Sequence, residues 1–473
     1  MAATDPSAIS VVPIIVTLIC ALVTRNVILG LFVGVLTAAT LLTGPDPFAA
    51  MNALIGTYLV GQVTDSYNAA VIVLLVFIGG FVALMEHSGG GPAFAKTVAR
   101  AIDTRGKAQL FTWFGGLSVF YSDLGTPLIV GPVFRPLFDR LNLSRQKLAL
   151  IIDSTASPVA ILIPFIGWGV YIISLIDREL STEPDDSPGL TLFVAALPFQ
   201  FYAVLALVIV PWLALRRVDF GPMADAERAA QRDQPTGRSD QTLTPFSHDR
   251  ATAAFVIAPL LVMASTLLFM LVPLGFPSSP VPGSVFRSAL ATAYFAAALT
   301  LMILMACRRV RSLLDSVGLY LRGMNGMMQA AIVLVLAWTL SALSKELGTP
   351  DYVAALLAGG FPGWLLPAVT FLFGAIISFA TGSSWGTFAI LFPLVIPTAA
   401  AIEAPLPVVI AAVLSGGLFG DHCSPVSETT ILSSSGASCT QYEHFRTQLP
   451  YALLNGAIAL IGYLAAGLVP IDS

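Results

Sequence analysis

The sequence predicts an all-α polytopic membrane protein. About ten transmembrane helices are expected, at the ~20 apolar residues a span requires, arranged as two inverted-topology repeats. Each repeat would hold a re-entrant hairpin and a broken helix. Three observations predict this. The chain of 473 residues is 56% hydrophobic and only 11% charged, whereas soluble domains carry about 25% charged residues. Apolar runs long enough to cross a bilayer recur along the chain. Their order in the first half returns in the second, with the basic flanks reversed.

Taken in order, residues 9–24 and 27–43 are two apolar segments parted by Arg25-Asn26. Residues 49–65 are amphipathic and interrupted, the pattern of an interfacial helix and loop. Residues 66–86 form a third span ending at Glu86-His87, read as a helix end at the membrane surface. The basic stretch Lys96, Arg100, Arg105 and Lys107 follows and is cytoplasmic by the positive-inside rule. The next apolar run, 108–134, is split by Tyr121-Ser122-Asp123-Leu124-Gly125-Thr126-Pro127. Each arm is shorter than a span needs, and the run exits into a second basic stretch, Arg135, Arg140, Arg145 and Lys147. Cytoplasmic flanks on both sides predict a re-entrant hairpin with Asp123 at its tip. Such backbone is tolerated at membrane depth only where protein or water surrounds it.

Residues 148–176 exceed one span and contain Asp153-Ser154-Thr155-Ala156-Ser157-Pro158, a predicted broken helix. An acidic outer loop runs from Asp177 to Asp186, and residues 190–214 return to Arg216-Arg217. Residues 218–250 are polar without an apolar run and read as a mobile cytoplasmic linker. Beyond it come spans 252–274 and 286–307, joined by an outer loop at 275–285. A basic amphipathic stretch at 308–327 and a span at 328–344 follow, with Lys345 and Glu346 as a wet helix end. Residues 364–400 are a second hairpin with tip Thr381-Gly382-Ser383-Ser384-Trp385-Gly386-Thr387, and its flanks hold almost no Lys or Arg. Residues 406–434 are a second broken helix, 436–449 contain His444 and Arg446, and 450–468 are the last span.

These boundaries give an N-terminal repeat at 1–217, a linker at 218–250 and a C-terminal repeat at 251–473. Asp153-Ser-Thr-Ala-Ser-Pro-Val in the first mirrors Asp421-His-Cys-Ser-Pro-Val in the second. Inverted repeats in secondary transporters place the substrate at the repeat interface, near broken helices. Residues 1–8 show no secretory signal pattern. Cys20, Cys307, Cys423 and Cys439 suggest neither a disulfide framework nor a metal site. No P-loop and no zinc-protease motif occurs, so ATP-driven pumping, proteolysis and nucleic-acid binding find no support.

The densest chemistry lies in Gly420-Asp421-His422-Cys423-Ser424-Pro425-Val426-Ser427-Glu428-Thr429-Thr430, flanked on both sides by nearly pure hydrocarbon. Ionisable groups at membrane depth are costly and mark function. Ser424-Pro425 removes an amide donor and predicts a helix break. Asp421, Ser424 and Glu428 also recur at helical spacing and would share one face. The predicted cavity is lined by Asp123, Asp153, Asp421 and Glu428 with Ser122, Thr126, Ser154, Thr155, Ser157, Thr381, Ser383, Ser384, Thr387 and Ser424. Lys and Arg are absent from these segments, so the cargo is expected to be a cation: Na+, Li+, H+ or an organic ammonium. A buried carboxylate is favoured neutral unless a positive charge sits beside it. Na+ and a proton therefore compete for it, with Asp153 and Asp421 as carriers and Asp123 completing a Na+ site. His422 is either a pH-sensitive partner or a structural histidine, and Glu428 either a cap or a pathway residue. Among Trp113, Tyr121, Trp168, Tyr171 and Trp385, packing explains most, and Tyr121 and Trp385 are candidate cation–π walls.

GLFGDHCSPVSETTILSS and FATGSSWGTFAILFPLVIP, the latter at 379–397, resemble the C-terminal half of NhaC-type Na+/H+ antiporters. The resemblance implies a secondary antiporter of the bacterial inner membrane, not an enzyme. It uses no cofactor beyond the transported Na+ and H+, and it belongs to a superfamily in which homodimers are expected. Relatives of that family exchange organic acids. An alternative is therefore Na+- or H+-coupled transport of a small amine, amino acid or hydroxy acid. A passive channel is the third reading.

Overall fold

The computed structural model describes residues 7–24, 26–91, 93, 102–180, 188–232, 250–275, 282–349, 352, 355, 362–425 and 427–468. Among them every regular element is helical. In lipid each backbone amide must find an internal partner, and polar side chains at the turns supply the missing ones. Asn26 caps Val27–Thr43 through Leu29 N, Asp65 caps Ser66–His87 through Asn68 N, and Ser144 caps Arg145–Thr155 through Lys147 N. Ser383 and Ser427 do the same for Ser384–Ala401 and Glu428–Ala437. Large apolar side chains such as Phe48, Phe269, Leu314 and Ile461 stay exposed on the outside, as a lipid-facing surface requires.

Seven helices among the described residues are long and apolar enough to span a bilayer, or up to nine when two bent pairs count as single spans. Two further apolar helices, Ala8–Thr24 and Leu406–His422, are shorter, so about seven to nine of the expected ten spans meet this criterion. Val27–Thr43 and Pro47–Thr64 meet at 112°, and Pro188–Phe199 and Phe201–Arg216 at 47°. Gly44 and Gln200 sit at these corners, and Pro47 starts its helix without needing an amide partner.

Both predicted hairpin stretches are pairs of helices, and in the second pair each arm is itself long and apolar enough to span a bilayer, against the short arms expected. The first is Arg105–Ser118 and Gly125–Arg140, the second Leu366–Thr381 and Ser384–Ala401. Both predicted breaks are present. Arg145–Thr155 stops before Ser157–Ala160 and resumes as Gly167–Leu180, and Leu406–His422 resumes as Glu428–Ala437. The packing interlocks the two halves of the chain. Gly125–Arg140 lies against both Arg145–Thr155 and Glu428–Ala437, while Ser384–Ala401 lies against both Leu406–His422 and Gly167–Leu180. At the first crossing, a Cβ on Gly131 would run into the Gly436 backbone, and one on Gly436 into the Pro127 carbonyl.

Two expectations need correction. Asp421, Ser424 and Glu428 do not share a helix face, because the break separates them: Asp421 ends one helix and Glu428 begins the next. The 218–250 stretch is not wholly a free linker. Gly221–Arg232 is a helix packed on Arg145–Thr155 and on Gln441–Leu468. Its Glu227 accepts hydrogen bonds from Ser144 N (2.8 Å) and Ser144 Oγ (2.7 Å), and it pairs with Arg105 at 2.5 Å. Lys147, buried, pairs with Asp219 just before it. Residues 233–249 of the linker, most of the acidic loop (181–187), Lys96 and Arg100 lie outside the described residues.

Candidate functional site

Asp153 and Asp421 occupy matching places, close to the C-terminal ends of the half-helices Arg145–Thr155 and Leu406–His422. Both are buried, at 0% and 4% exposure. The carbonyl of each accepts the turn bond that closes its helix, from Ala156 N (3.3 Å) and Ser424 N (3.0 Å). The two carboxylates lie within electrostatic range of each other, and Asp123 within range of Asp421. A helix C-terminus carries partial negative charge, so carboxylates there enlarge a negative centre.

Their partners differ. Asp153 accepts three side-chain hydrogen bonds, all from the second half of the chain. Ser433 Oγ donates to Oδ1 (3.3 Å), and His444 Nε2 (3.3 Å) and Gln448 Nε2 (2.5 Å) meet Oδ2. Gln448 Nε2 also donates to the His422 carbonyl (3.2 Å). Asp421 accepts from Thr429 Oγ1 (3.0 Å), and that hydroxyl lies 3.0 Å from Ser427 Oγ. His422 turns Nδ1 to the Tyr202 hydroxyl at 3.1 Å. His422 Nε2 and His444 Nδ1 are buried without a hydrogen-bond partner.

The hairpin tips border this centre. At the first, Ser122 Oγ donates to Glu86 Oε1 (2.7 Å) and accepts from Gly125 N (2.8 Å). Glu86 therefore sits over the N-terminus of Gly125–Arg140. Asp123 is half-buried, in range of Glu86 and Glu428 and beside Trp168. The Tyr121 hydroxyl is buried and has no hydrogen-bond partner. At the second tip, Gly382 takes a left-handed conformation (φ 66°), Ser383 caps the return helix, and Ser384 Oγ donates to the Gly417 carbonyl (3.4 Å). Ser424 Oγ donates to the Phe379 carbonyl (2.8 Å), tying the second break to this hairpin. Trp385 packs on Tyr171 (ring centres 4.5 Å apart) and Trp168 (5.0 Å), and the Tyr171 hydroxyl donates to the Trp385 carbonyl (2.8 Å).

Four threonines share one habit. Thr126, Thr155, Thr381 and Thr387 each donate the hydroxyl proton to the carbonyl four residues earlier, at 2.8–3.0 Å. Their oxygens keep lone pairs and lose the donor. Ser154 and Ser157 are buried, and Ser157 Oγ has no partner. Glu428 is exposed in the first turn of its helix, where the dipole favours it.

The sequence reading thus names the two central carboxylates, His422 and both tips, but not the residues that hold Asp153. Ser433, His444, Gln448 and Tyr202 are missed. The available signal was His444 and Gln448 four residues apart at the polar start of a helix that turns apolar after Pro450. Glu86, read as a surface helix end, instead contacts the first tip. His87, bonded to the Ala83 carbonyl in its own helix (2.9 Å), fits that reading. Trp113 donates to the Leu207 carbonyl (3.0 Å), a packing role. Among the described residues no group of three or more His, Cys, Asp or Glu side chains is placed to hold a metal ion.

The profile of the Na+/H+ antiporter family matches residues 159–468. The chain belongs to this family. It is a polytopic membrane transport protein, as a bacterial inner-membrane antiporter would be, and not an enzyme. An uncharacterized Haemophilus influenzae protein is 32% identical over 97% of this chain and 90% of its own length. Two relatives match locally. One is the arginine/ornithine antiporter ArcD of Halobacterium salinarum, 34% identical over 22% of this chain and 23% of its own. The other is the malate-2H+/Na+-lactate antiporter of Bacillus subtilis, 34% identical over 21% and 22%. Among solved structures, the Alcanivorax borkumensis YdaH transporter superposes with a TM-score of 0.64 at 17% identity, covering 96% of this chain and 97% of its own. It shares the fold of this antiporter-family chain.

Proposed function

We propose that the protein exchanges Na+ or Li+ for H+ by alternating access, with its two halves as inverted repeats about the Asp153–Asp421 centre. One observation carries the reading. Two buried carboxylates face each other electrostatically at two helix C-termini, and the side chains bonded to them are hydroxyls, an amide and a histidine, with no Lys or Arg. Such a centre attracts a cation and, lacking one, a proton. Competition between the two is enough for antiport. Asp123 and the tip hydroxyls line the approach. A homodimer fits the superfamily resemblance. Paired 22Na+ and H+ flux in proteoliposomes tests the reading. Saturable, obligately linked opposite fluxes are expected, and unlinked or non-saturating Na+ flux would favour a channel.

A second reading has its own support. Local relatives are named for arginine, ornithine, malate and lactate exchange. A small amine, amino acid or hydroxy acid coupled to Na+ or H+ would use the same fold. Flux that appears only when such a solute is added to the vesicles selects it.

Inverted repeats put the linker and the termini on opposite sides, and the Lys/Arg distribution favours a cytoplasmic linker with both termini outside. Single cysteines at positions 187 and 239, both outside the described residues, should label from opposite sides in a cysteine-free background. Labelling of position 239 in intact cells would reject the topology.

A further inference from the structure

We propose that His444 and Gln448 are positioning residues of the exchange site. Together with Ser433 they occupy both oxygens of Asp153, so that an incoming cation meets Asp421, and Asp153 acts as a fixed negative charge beside it. This rests on the cation-exchange reading.

The geometry supports the division of labour. A carboxylate offers about four lone-pair sites, and Asp153 has three taken by side-chain donors. A cation binding there directly would have to displace donors that are strengthened by the charge they serve. Asp421 is met by the hydroxyls of Thr429 and Ser427, with no amide or imidazole among them, and lies next to the break that Ser424 ties to the second hairpin. His444 and Gln448 stand four residues apart and so share one helix face. They are 0% and 2% exposed, while Leu453, Ile458 and Ile461 of the same helix face outward. Polar side chains buried in a span are expensive and are kept for a purpose. Gln448 reaches both Asp153 and the His422 carbonyl. A single amide therefore fixes the spacing between the end of one broken helix and the carboxylate of the other.

A purely structural role predicts only lost stability or lost rate. A positioning role predicts a change in how much cation the site needs. With a donor gone, the buried charge on Asp153 is less well held, and the cation at Asp421 feels a weaker field.

The test compares wild type with His444→Leu, Gln448→Leu, His444→Gln, Asp153→Asn and the Asp153→Asn/His444→Leu double variant. Proton flux in proteoliposomes and Na+-dependent thermal stabilisation of the purified protein are measured across Na+ concentration. Each leucine variant is expected to raise the half-saturating Na+ about tenfold, the scale of one hydrogen bond to a charged group. The maximal rate should fall less. His444→Gln, which keeps a donor, should return to within about threefold of wild type. The double variant should match Asp153→Asn alone, because His444 acts through that carboxylate. A wild type without Na+-dependent proton movement would reject the exchange reading, and the half-saturation of the solute it does carry is then compared in the same way. In either case, leucine variants with lowered rate or stability and unchanged half-saturation, or additive effects in the double variant, overturn the proposal.

Discussion

Asp153 and Asp421 stand at equivalent points of two similar backbones and live in different surroundings. Each closes its half-helix with the same turn bond. Asp153 is gripped by Ser433, His444 and Gln448, whereas Asp421 is met by hydroxyls alone, from Thr429 and Ser427. Matching positions at two helix ends therefore do not carry matching chemistry. The fold sets where a carboxylate sits, and the side chains that reach it set what it can exchange.

The largest test of this contrast is Asp421→Asn. An amide cannot trade Na+ for a proton, so coupled exchange should fall by about two orders of magnitude or more, while melting changes little. Na+-induced stabilisation, which in wild type should weaken as pH falls, should vanish. Unaltered exchange and pH profile in this variant would end the assignment.

Asp153→Asn should instead show in stability. The new amide hydrogens face donors already present, which costs about 1–3 kcal/mol for a buried group and lowers the melting temperature by about 2–4 °C per kcal/mol for a domain of 150–250 residues, less for a larger chain. Exchange should persist with a raised half-saturating Na+. Equal loss of exchange in both variants would make the two carboxylates functionally alike and dissolve the comparison.

The smallest effects come from single donors. Thr429→Val removes one of the hydroxyls that serve Asp421 and should change half-saturating Na+ by about three- to tenfold. Ser433→Ala removes one of three donors from Asp153 and should change it by less than about threefold. A larger effect from Ser433→Ala, read from the same titration, would reverse the proposed roles.

Both breaks were legible because Ser-Pro steps and stray carboxylates interrupt apolar runs, a local signal. The two turns at 121–127 and 381–387 were legible from the polar residues that interrupt apolar runs, but arm length misjudged the second pair, whose helices are span-length. The grip on Asp153 was not, since Ser433, His444 and Gln448 lie 280, 291 and 295 residues away in sequence, and spacing cannot encode which distant donor arrives. Glu86 failed for the same reason: its position at a helix end is local, its bond to Ser122 is not. The linker misled through composition. Residues 221–232 are polar enough to look free, yet Met223 and Glu227, one helical turn apart, are both buried, and Glu227 finds Arg105 and Ser144.

The four threonines that bend their hydroxyl protons back onto the helix have a consequence for which solutes can be held. Each oxygen's polarity is settled before a ligand arrives. A hydroxyl spent this way can still offer a lone pair to a cation, but it has no proton for a carboxylate unless the helix bond is surrendered. An uncharged side chain can therefore favour one sign of ligand over the other through the bond it makes with its own helix.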